Sequence, residues 1–567
     1  MMLKTGVAVL VAVLASACAQ KPQQDVADLV VMGAAIDTMN PAQPQARALA
    51  VRNGKIAYVG DEENAQKWIG KDTRVLRLAG VTVLPGLIDS HIHVMEGALS
   101  LDACTFADAQ LTVDKIAPVI NDCAKRNPGE GWLVVQNLNA AGFHATRKDL
   151  DAIIPSRPLL LWAADGHVGW ANSAALTRAG IDAKTPDPVD GRIERDSKGV
   201  PTGFLVDGAM GLVSSLLDKP TPETRERLLV RALHDLAADG ITTFMEANTS
   251  AETVNTYVDL ARKKQLTSRV TFALGSDGAS TDEEFKRLKA LRQLAESQPP
   301  MRADMIKLFA DGIMEFPTQS AAMLEPYLNA DGKPGTDRGP LYHEPGPLNA
   351  FVRRAADEGF GVHIHAIGDR AVRVALDAFA DARSHGSKRL YSIAHLELVD
   401  PKDIPRFREL DVIPSLQLQW AQPDNYSVDA VLRYIGPERQ ARLYPARAFV
   451  AAGATIAGGS DWNVSTFNPF EAIAVATSRT NPQQPQRGVL GADQILTLRD
   501  MLPAYTINAA RMIGREAEVG SLETGKAADI VVLDRHLDDS STTADIRATR
   551  VVYTFTNGVM RIGPSGP

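Results

Sequence analysis

Val83-Leu84-Pro85-Gly86-Leu87-Ile88-Asp89-Ser90-His91-Ile92-His93 is an apolar strand pattern that closes on two histidines at alternate positions. Side chains two apart on a strand share a face, so His91 and His93 can both reach one metal ion. Zinc and its neighbours take neutral imidazole nitrogen, and further His, Lys and Asp residues at strand ends downstream give the pair its meaning. Outward from this stretch, apolar strand patterns alternate with helical ones, the signature of βα units around a parallel sheet. Eight strands are predicted, ending near His91, Glu246, Gly275, Asp311, His365, Glu397, Leu418 and Asp461. Eight units close into a (β/α)8 TIM barrel over residues 83–512, at about 30 residues per unit.

Two steps are too long for one unit. Between His91 and Glu246 the excess is on the order of 120 residues, which predicts an inserted cap over about residues 96–235. The insertion has its own strand candidates, Trp132 to Leu138 and Pro158 to Ala164. A lesser, Gly- and Pro-rich excess between Asp311 and His365 predicts a long loop near the barrel mouth. Residues 28–82 alternate apolar and polar residues between Gly and Asn-Gly turns, and the same texture returns in residues 513–567, before Asn557-Gly558. The two chain ends are therefore read as two parts of one small β-sandwich.

A net charge of -8, with no Lys/Arg run and no aromatic-basic patch, argues against nucleic acid as a partner. The first residues read as an export signal: Lys4, a short apolar run from Gly6 to Leu14, then Leu14-Ala15-Ser16-Ala17-Cys18. The run is short for a membrane span, and small residues precede the cysteine. Residues 1–18 are accordingly read as a bacterial lipoprotein signal with lipid on Cys18, with plain cleavage after Ala17 as the alternative. Residues 19–27 are expected to be a polar tether, and the protein to sit on the periplasmic side, the outer membrane being favoured. The remaining cysteines, Cys104 and Cys123, are either bridged, as an oxidising compartment allows, or buried free thiols.

In such a barrel chemistry gathers at the carboxyl ends of the strands. His91, His93, Lys307, His365, His395 and Asp461 all fall there, on strands one, four, five, six and eight. The chain at this point resembles the amidohydrolase superfamily, in its metal-dependent branch often called amidohydrolase 3 or YtcJ-like. Besides Pro85 to His93, the likeness rests on Asp165-Gly166-His167, Lys307-Leu308-Phe309-Ala310-Asp311-Gly312, His365-Ala366-Ile367-Gly368-Asp369-Arg370-Ala371 and Gly520-Ser521-Leu522-Glu523-Thr524-Gly525-Lys526-Ala527-Ala528-Asp529.

The resemblance implies two divalent metal ions, usually zinc: one on His91, His93 and Asp461, the other on His365 and His395. Lys307 would be carboxylated and bridge both, the alternative being a plain lysine paired with an acid such as Asp311. It further implies hydrolysis of an amide-type C–N bond of a small molecule, by attack of a metal-bridging hydroxide with Asp461 as general base and acid. His167 would contact substrate or its oxyanion, or else serve the cap. Asn172 and His363 are further substrate-contact candidates, His363 also fitting a supporting hydrogen-bond role. Ester, lactone or phosphoester hydrolysis suits the same centre, and a lipid-anchored binding protein without turnover is the third reading. Relative to common relatives, Phe244-Met245-Glu246 replaces a His-Asp pair and Ile313-Met314-Glu315-Phe316 a smaller run. Both differences are expected near the mouth, where they bear on substrate identity.

Overall fold

The computed structural model describes residues 26–188, 190–329 and 331–564. Cys18 and the signal lie outside the described residues, as does most of the expected tether. Ala27 belongs to the fold instead: it is 4% exposed and its N–H donates to the Trp68 carbonyl.

Eight parallel strands form the central sheet in chain order: Leu87–Ile92, Ile241–Thr249, Arg269–Gly275, Arg302–Phe309, Gly361–Ala366, Tyr391–His395, Val412–Leu416 and Ala457–Gly458. The eighth is short. Beyond it, the Asp461 N–H donates to the His91 carbonyl and the His93 N–H to the Trp462 carbonyl, both at 2.8 Å, and these bonds join the last unit to the first. Outward-facing Ile306, Leu308, Val362, Ile364 and Ile393 pack under the helical ring. Inward-facing Ile88, Met245, Met305 and Ile413 fill the barrel floor against Ala509, Ile513 and Val519. The floor therefore continues past residue 512, because apolar Ile513 and Val519 close the barrel from below.

Two other expected boundaries shift. Thr82–Pro85 pairs with the terminal sheet, and the barrel begins only at Leu87. Gly86 marks the joint because the chain passes too close for a side chain: a Cβ there would lie 2.2 Å from Thr242 Oγ1. Helix Pro222–Ala238, capped by Thr221, buries Leu229, Leu233 and Leu236 in the barrel core, so the insertion ends before it and not near residue 235. Within the insertion, six strands order a separate sheet around Ile120, Leu161 and Trp170, with Cys104 and Cys123 joined by a disulfide.

The terminal segments form one continuous eight-stranded hydrogen-bonded sheet that folds over on itself, so that Leu29, Val31, Leu49 and Val51 share a buried core with Ile530, Val532 and Phe555 from its other end. Its Asn53-Gly54 and Asn557-Gly558 turns carry positive φ at both residues, the tight hairpin geometry those dipeptides favour. Gly520 to Asp529 is structural here. Residues 525–528 exchange backbone hydrogen bonds with Gly54 and Ile56, and buried Asp529 pairs with Arg269 at the start of the third barrel strand. Asp529 also accepts from the Gly86 joint through its carbonyl and from Asn557 N through its carboxylate. Removing one partner of a buried ion pair strands the other charge, so Asp529→Ala is expected to cost about 3–5 kcal/mol in equilibrium denaturation. A cost below about 1 kcal/mol would mean that Arg269 finds water once the carboxylate is gone.

Candidate metal centre

Strand register sets the floor of the site. Lys307 lies beside His363, and Phe309 beside His365, so Lys307 projects inward one layer below His365. On the sixth strand Ser392 points inward and Ile393 outward, so simple alternation would send His395 to the outside. A left-handed φ of 75° at His395 turns its ring into the mouth instead. Asp461 is likewise left-handed, at 55°. Such conformations cost on the order of 1–3 kcal/mol in non-glycine residues and persist where surrounding bonds over-determine them. Here Gln417 Oε1 accepts from His395 N at 3.0 Å, and Asp89, reading as a structural carboxylate, accepts from Ser460 N at 3.1 Å.

The ligating atoms of His91, His93 and Asp461 lie within 4.8 Å of one another. His91 Nε2 and His93 Nε2 stand 3.3 and 3.0 Å from Asp461 Oδ1, and Lys307 Nζ is 3.4 Å from His91 Nε2. His365 and His395 complete the rim, their ring centres 4.4 Å apart. Asp461 Oδ1, His93 Nδ1 and His395 Nδ1 are buried without a hydrogen-bond partner. Imidazole nitrogens and a carboxylate gathered this way, with lone pairs unspent, are a donor set that a divalent cation fits.

Electrostatics supports the fit. Burial takes His91 down to about 3 and holds His365 and His395 well below their ordinary value, so all three are neutral ligands at physiological pH. Burial opposes charge on Asp461 too, but His91 and His93 outweigh it and hold the carboxyl well below its usual range. Burial also lowers the Lys307 amine to about 7. Asp311 is no partner for it: its two oxygens accept the amides of Ala322, Ile367 and Gly368 and anchor the long loop after strand four.

His363 does not line the cavity, which corrects its candidacy as a substrate contact. Its Nε2 sits 2.7 Å from His91 Nδ1, and its Nδ1 2.7 Å from Ser392 Oγ. With His91 Nε2 facing the centre, the proton sits on His91 Nδ1 and donates to His363, which donates in turn to Ser392. The Gly312 carbonyl, 3.1 Å from His365 Nε2, plays the same part there, because a carbonyl only accepts and so leaves the Nδ1 lone pair free. Asn172 is likewise corrected. It is fully buried in the cap, its oxygen accepting from Leu159 and Ala175 and its amide donating to Ile154 and Arg157, so no atom remains for substrate.

His167 does reach the site, its ring centre 5.5 Å from that of His365. Its Nδ1 donates to Asp207 at 2.6 Å, and although burial works against its charge, Asp207 lifts it to about 9. Between cap and barrel lies a cavity of about 1130 Å³ lined by both. Sequence reasoning missed several of its walls: Asp207 behind His167, Trp420 stacked on His395, and Asp108, Gln422, Asp424 and Tyr426. None sits on a barrel strand or in a recognisable motif. Of the two departures from common relatives, Glu246 is spent on Tyr257 and Met95 outside the cavity, whereas Glu315 lines it.

Fold and site together define a metal-dependent hydrolase built on a (β/α)8 barrel. The amidohydrolase family model matches residues 74–562, and the chain belongs to that family, as a hydrolase acting on carbon–nitrogen bonds. The Arabidopsis thaliana protein LONG AFTER FAR-RED 3 is 29% identical over 557 residues, covering 95% of this chain and 92% of its own. N-substituted formamide deformylase of Arthrobacter pascens is 29% identical over 559 residues, covering 95% of this chain and 99% of its own. An uncharacterised metal-dependent hydrolase from Pyrococcus horikoshii shares the fold, with a TM-score of 0.70 at 23% identity over 90% of this chain and 97% of that one.

Because His363 touches His91 and not the cavity, His363→Phe is expected to weaken metal retention by about 10–100-fold. Competition against a chromogenic chelator measures this. Unchanged retention would remove His363 from the support of the centre.

Proposed function

We propose that the protein hydrolyses an amide-type C–N bond of a small molecule at a centre of two divalent metal ions, zinc by donor chemistry. The observation that carries this reading is the meeting of four imidazoles, those of His91, His93, His365 and His395, with Asp461 and a depressed lysine at the edge of one cavity. His91, His93 and Asp461 would hold one ion, His365 and His395 the other, and a carboxylated Lys307 would serve both. At a value of about 7 much of Lys307 is free amine at neutral pH, the form whose lone pair adds carbon dioxide and releases a proton to solvent. When bound, the ions supply Lewis acidity to a scissile carbonyl and acidify a water molecule.

The chain's own groups supply the rest. Asp461 is ionised at the outset, accepts a proton at its carboxylate and returns it to the leaving nitrogen. An amine departs readily only when protonated, so a proton donor in the site matters more for amides than for esters. His167, charged through Asp207 at its Nδ1, keeps its Nε2–H to donate to the developing oxyanion. The cap closes over these groups and limits water. The printed activity of the Arthrobacter relative, on N-substituted formamides, supports the same bond class. Among the described residues the cavity wall has no arginine, Lys307 is its only lysine and its charged His167 is paired with Asp207, so a phosphate-backbone ligand finds little counter-charge there, which favours a small-molecule substrate.

The purified protein is expected to hold near two equivalents of metal and to turn over N-acyl amines. Lys307→Ala should lower kcat/KM by at least about a thousandfold with loss of metal, and His167→Ala by about a hundredfold with metal retained. Turnover of p-nitrophenyl esters or phosphotriesters with no N-acyl amine cleaved would overturn the amide reading.

We further infer export to the periplasmic side of a bacterial membrane, with a lipid anchor on Cys18. The Cys104–Cys123 bridge supports an oxidising compartment. Labelled palmitate should enter the wild-type chain and not Cys18→Ser, which should move to the soluble fraction; equal labelling of both would exclude Cys18 as the anchor.

A further inference from the structure

Away from the metal centre, the cavity wall carries a set of oxygen-bearing side chains among its apolar ones. Asp108 and Asp165 come from the cap, Glu315 from the loop after strand four, and Gln419, Gln422 and Asp424 from the segment after strand seven. Glu315 is 9% exposed, and its Oε2 has no hydrogen-bond partner. Asp165 Oδ2, Gln419 Oε1 and Gln422 Oε1 are buried and unpartnered in the same way. These four orphans are all acceptors. When ionised, Glu315 and Asp165 can only accept, so their unpaired oxygens call for a ligand bearing N–H groups.

Charge points the same way. The cations nearest these acids are already engaged: His167 with Asp207, and Arg487 bidentate with Asp429 at 2.9 and 2.7 Å. Tyr426 donates to Asp108 at 2.8 Å but brings no charge. Desolvation, reinforced by their mutual repulsion, pushes Asp108 and Asp165 up to about 6 and Glu315 to about 7, as expected of carboxylates without a counter-ion. The acids are nonetheless too dispersed to chelate a metal. Among the described residues, the only group of three or more acidic, His or Cys side chains whose ligand atoms converge is His91, His93 and Asp461. Dispersed acceptors suit an organic cation, whose donors are themselves spread over an ammonium or a guanidinium.

We propose that the substrate carries a cationic nitrogen, an alkylammonium or guanidinium, which the wall of Asp108, Asp165, Glu315 and Asp424 binds while the scissile amide sits at the metal centre. This rests on the amide reading above and names the substrate class within it: a mono-acylated diamine, or an amide of a basic amino acid or of its decarboxylated amine. It also gives a role to Glu315, in the run that departs from common relatives. The free carboxylates would select the substrate electrostatically before the chemical step.

The test uses the full-length metal-loaded enzyme and a matched N-acetyl series of equal chain length: butylamine, 1,4-diaminobutane, agmatine and 4-aminobutyrate. The expected result is a kcat/KM at least a hundredfold higher for one of the two cationic amides than for the butyl amide, with the carboxylate-bearing amide poorest. The agmatine and diaminobutane arms separate guanidinium from ammonium. In Glu315→Gln and in Asp165→Asn the preference ratio should fall below ten. Equal turnover of neutral and cationic amides, or an unchanged ratio in both variants, overturns the proposal. Calorimetry with free 1,4-diaminobutane and with butylguanidinium is independent of turnover and of any folding defect in a variant. Binding to wild type that Glu315→Gln weakens tenfold or more, in a protein that cleaves no amide, would support the subsite and sink the amide reading. Amide turnover with neither probe bound and no cationic preference would do the reverse.

Discussion

Desolvation of lone pairs at one end of a barrel is the constraint on which the rest of this molecule turns. Four imidazoles, an amine and a carboxylate share a rim that strands and cap largely shut off from water, and burial strips protons from His91, His365, His395 and Lys307 there. In an aqueous setting each group would be solvated and indifferent to the others. Brought together dry, their unshared electrons face one another with few hydrogens between them, and Asp461 Oδ1, His93 Nδ1 and His395 Nδ1 are left without partners. Such an arrangement is costly to a chain alone and becomes favourable once divalent cations enter, so metal binding and the integrity of the mouth are thermodynamically linked.

Support for this arrangement is distributed through the molecule. Two of these groups, His395 and Asp461, sit in left-handed backbone conformations held by amide and carboxylate bonds from neighbouring strands. His363 and the Gly312 carbonyl set the orientation of His91 and His365 from behind. Farther away, Asp529 ties the terminal sheet to the third barrel strand and to Gly86, a few residues before His91. The terminal sheet thereby locates the start of the strand that carries His91.

Much of this was legible in the chain. Periodicity marked the eight strands, and the rule that barrel chemistry gathers at strand ends selected His91, His93, Lys307, His365, His395 and Asp461, all of which the fold brings to one rim. Where reading failed, the cause was a partner remote in sequence. Asn172 follows closely on His167 in the same motif-rich stretch, yet four hydrogen bonds inside the cap consume it. His363 shares a strand face with His365 but is one layer lower, where the barrel is closed to substrate. Helix Pro222–Ala238 was counted with the insertion because a residue tally cannot tell a cap helix from a barrel helix. Its apolar face, buried with Leu229 and Leu233, decides the matter.

The sequence by itself determined the strand order, the His, Lys and Asp side chains that gather at the rim and the two-part terminal sheet, because hydrophobic period, turn dipeptides and strand-end position are local properties. Tertiary structure alone decided which polar groups meet, and so what the cavity selects. Tyr426 reaches Asp108 across 318 residues of chain, and Glu315 faces acids of the cap that no spacing rule connects to it. Charge balance in a desolvated cavity depends on which groups share it, and that is settled only when distant segments are folded against one another.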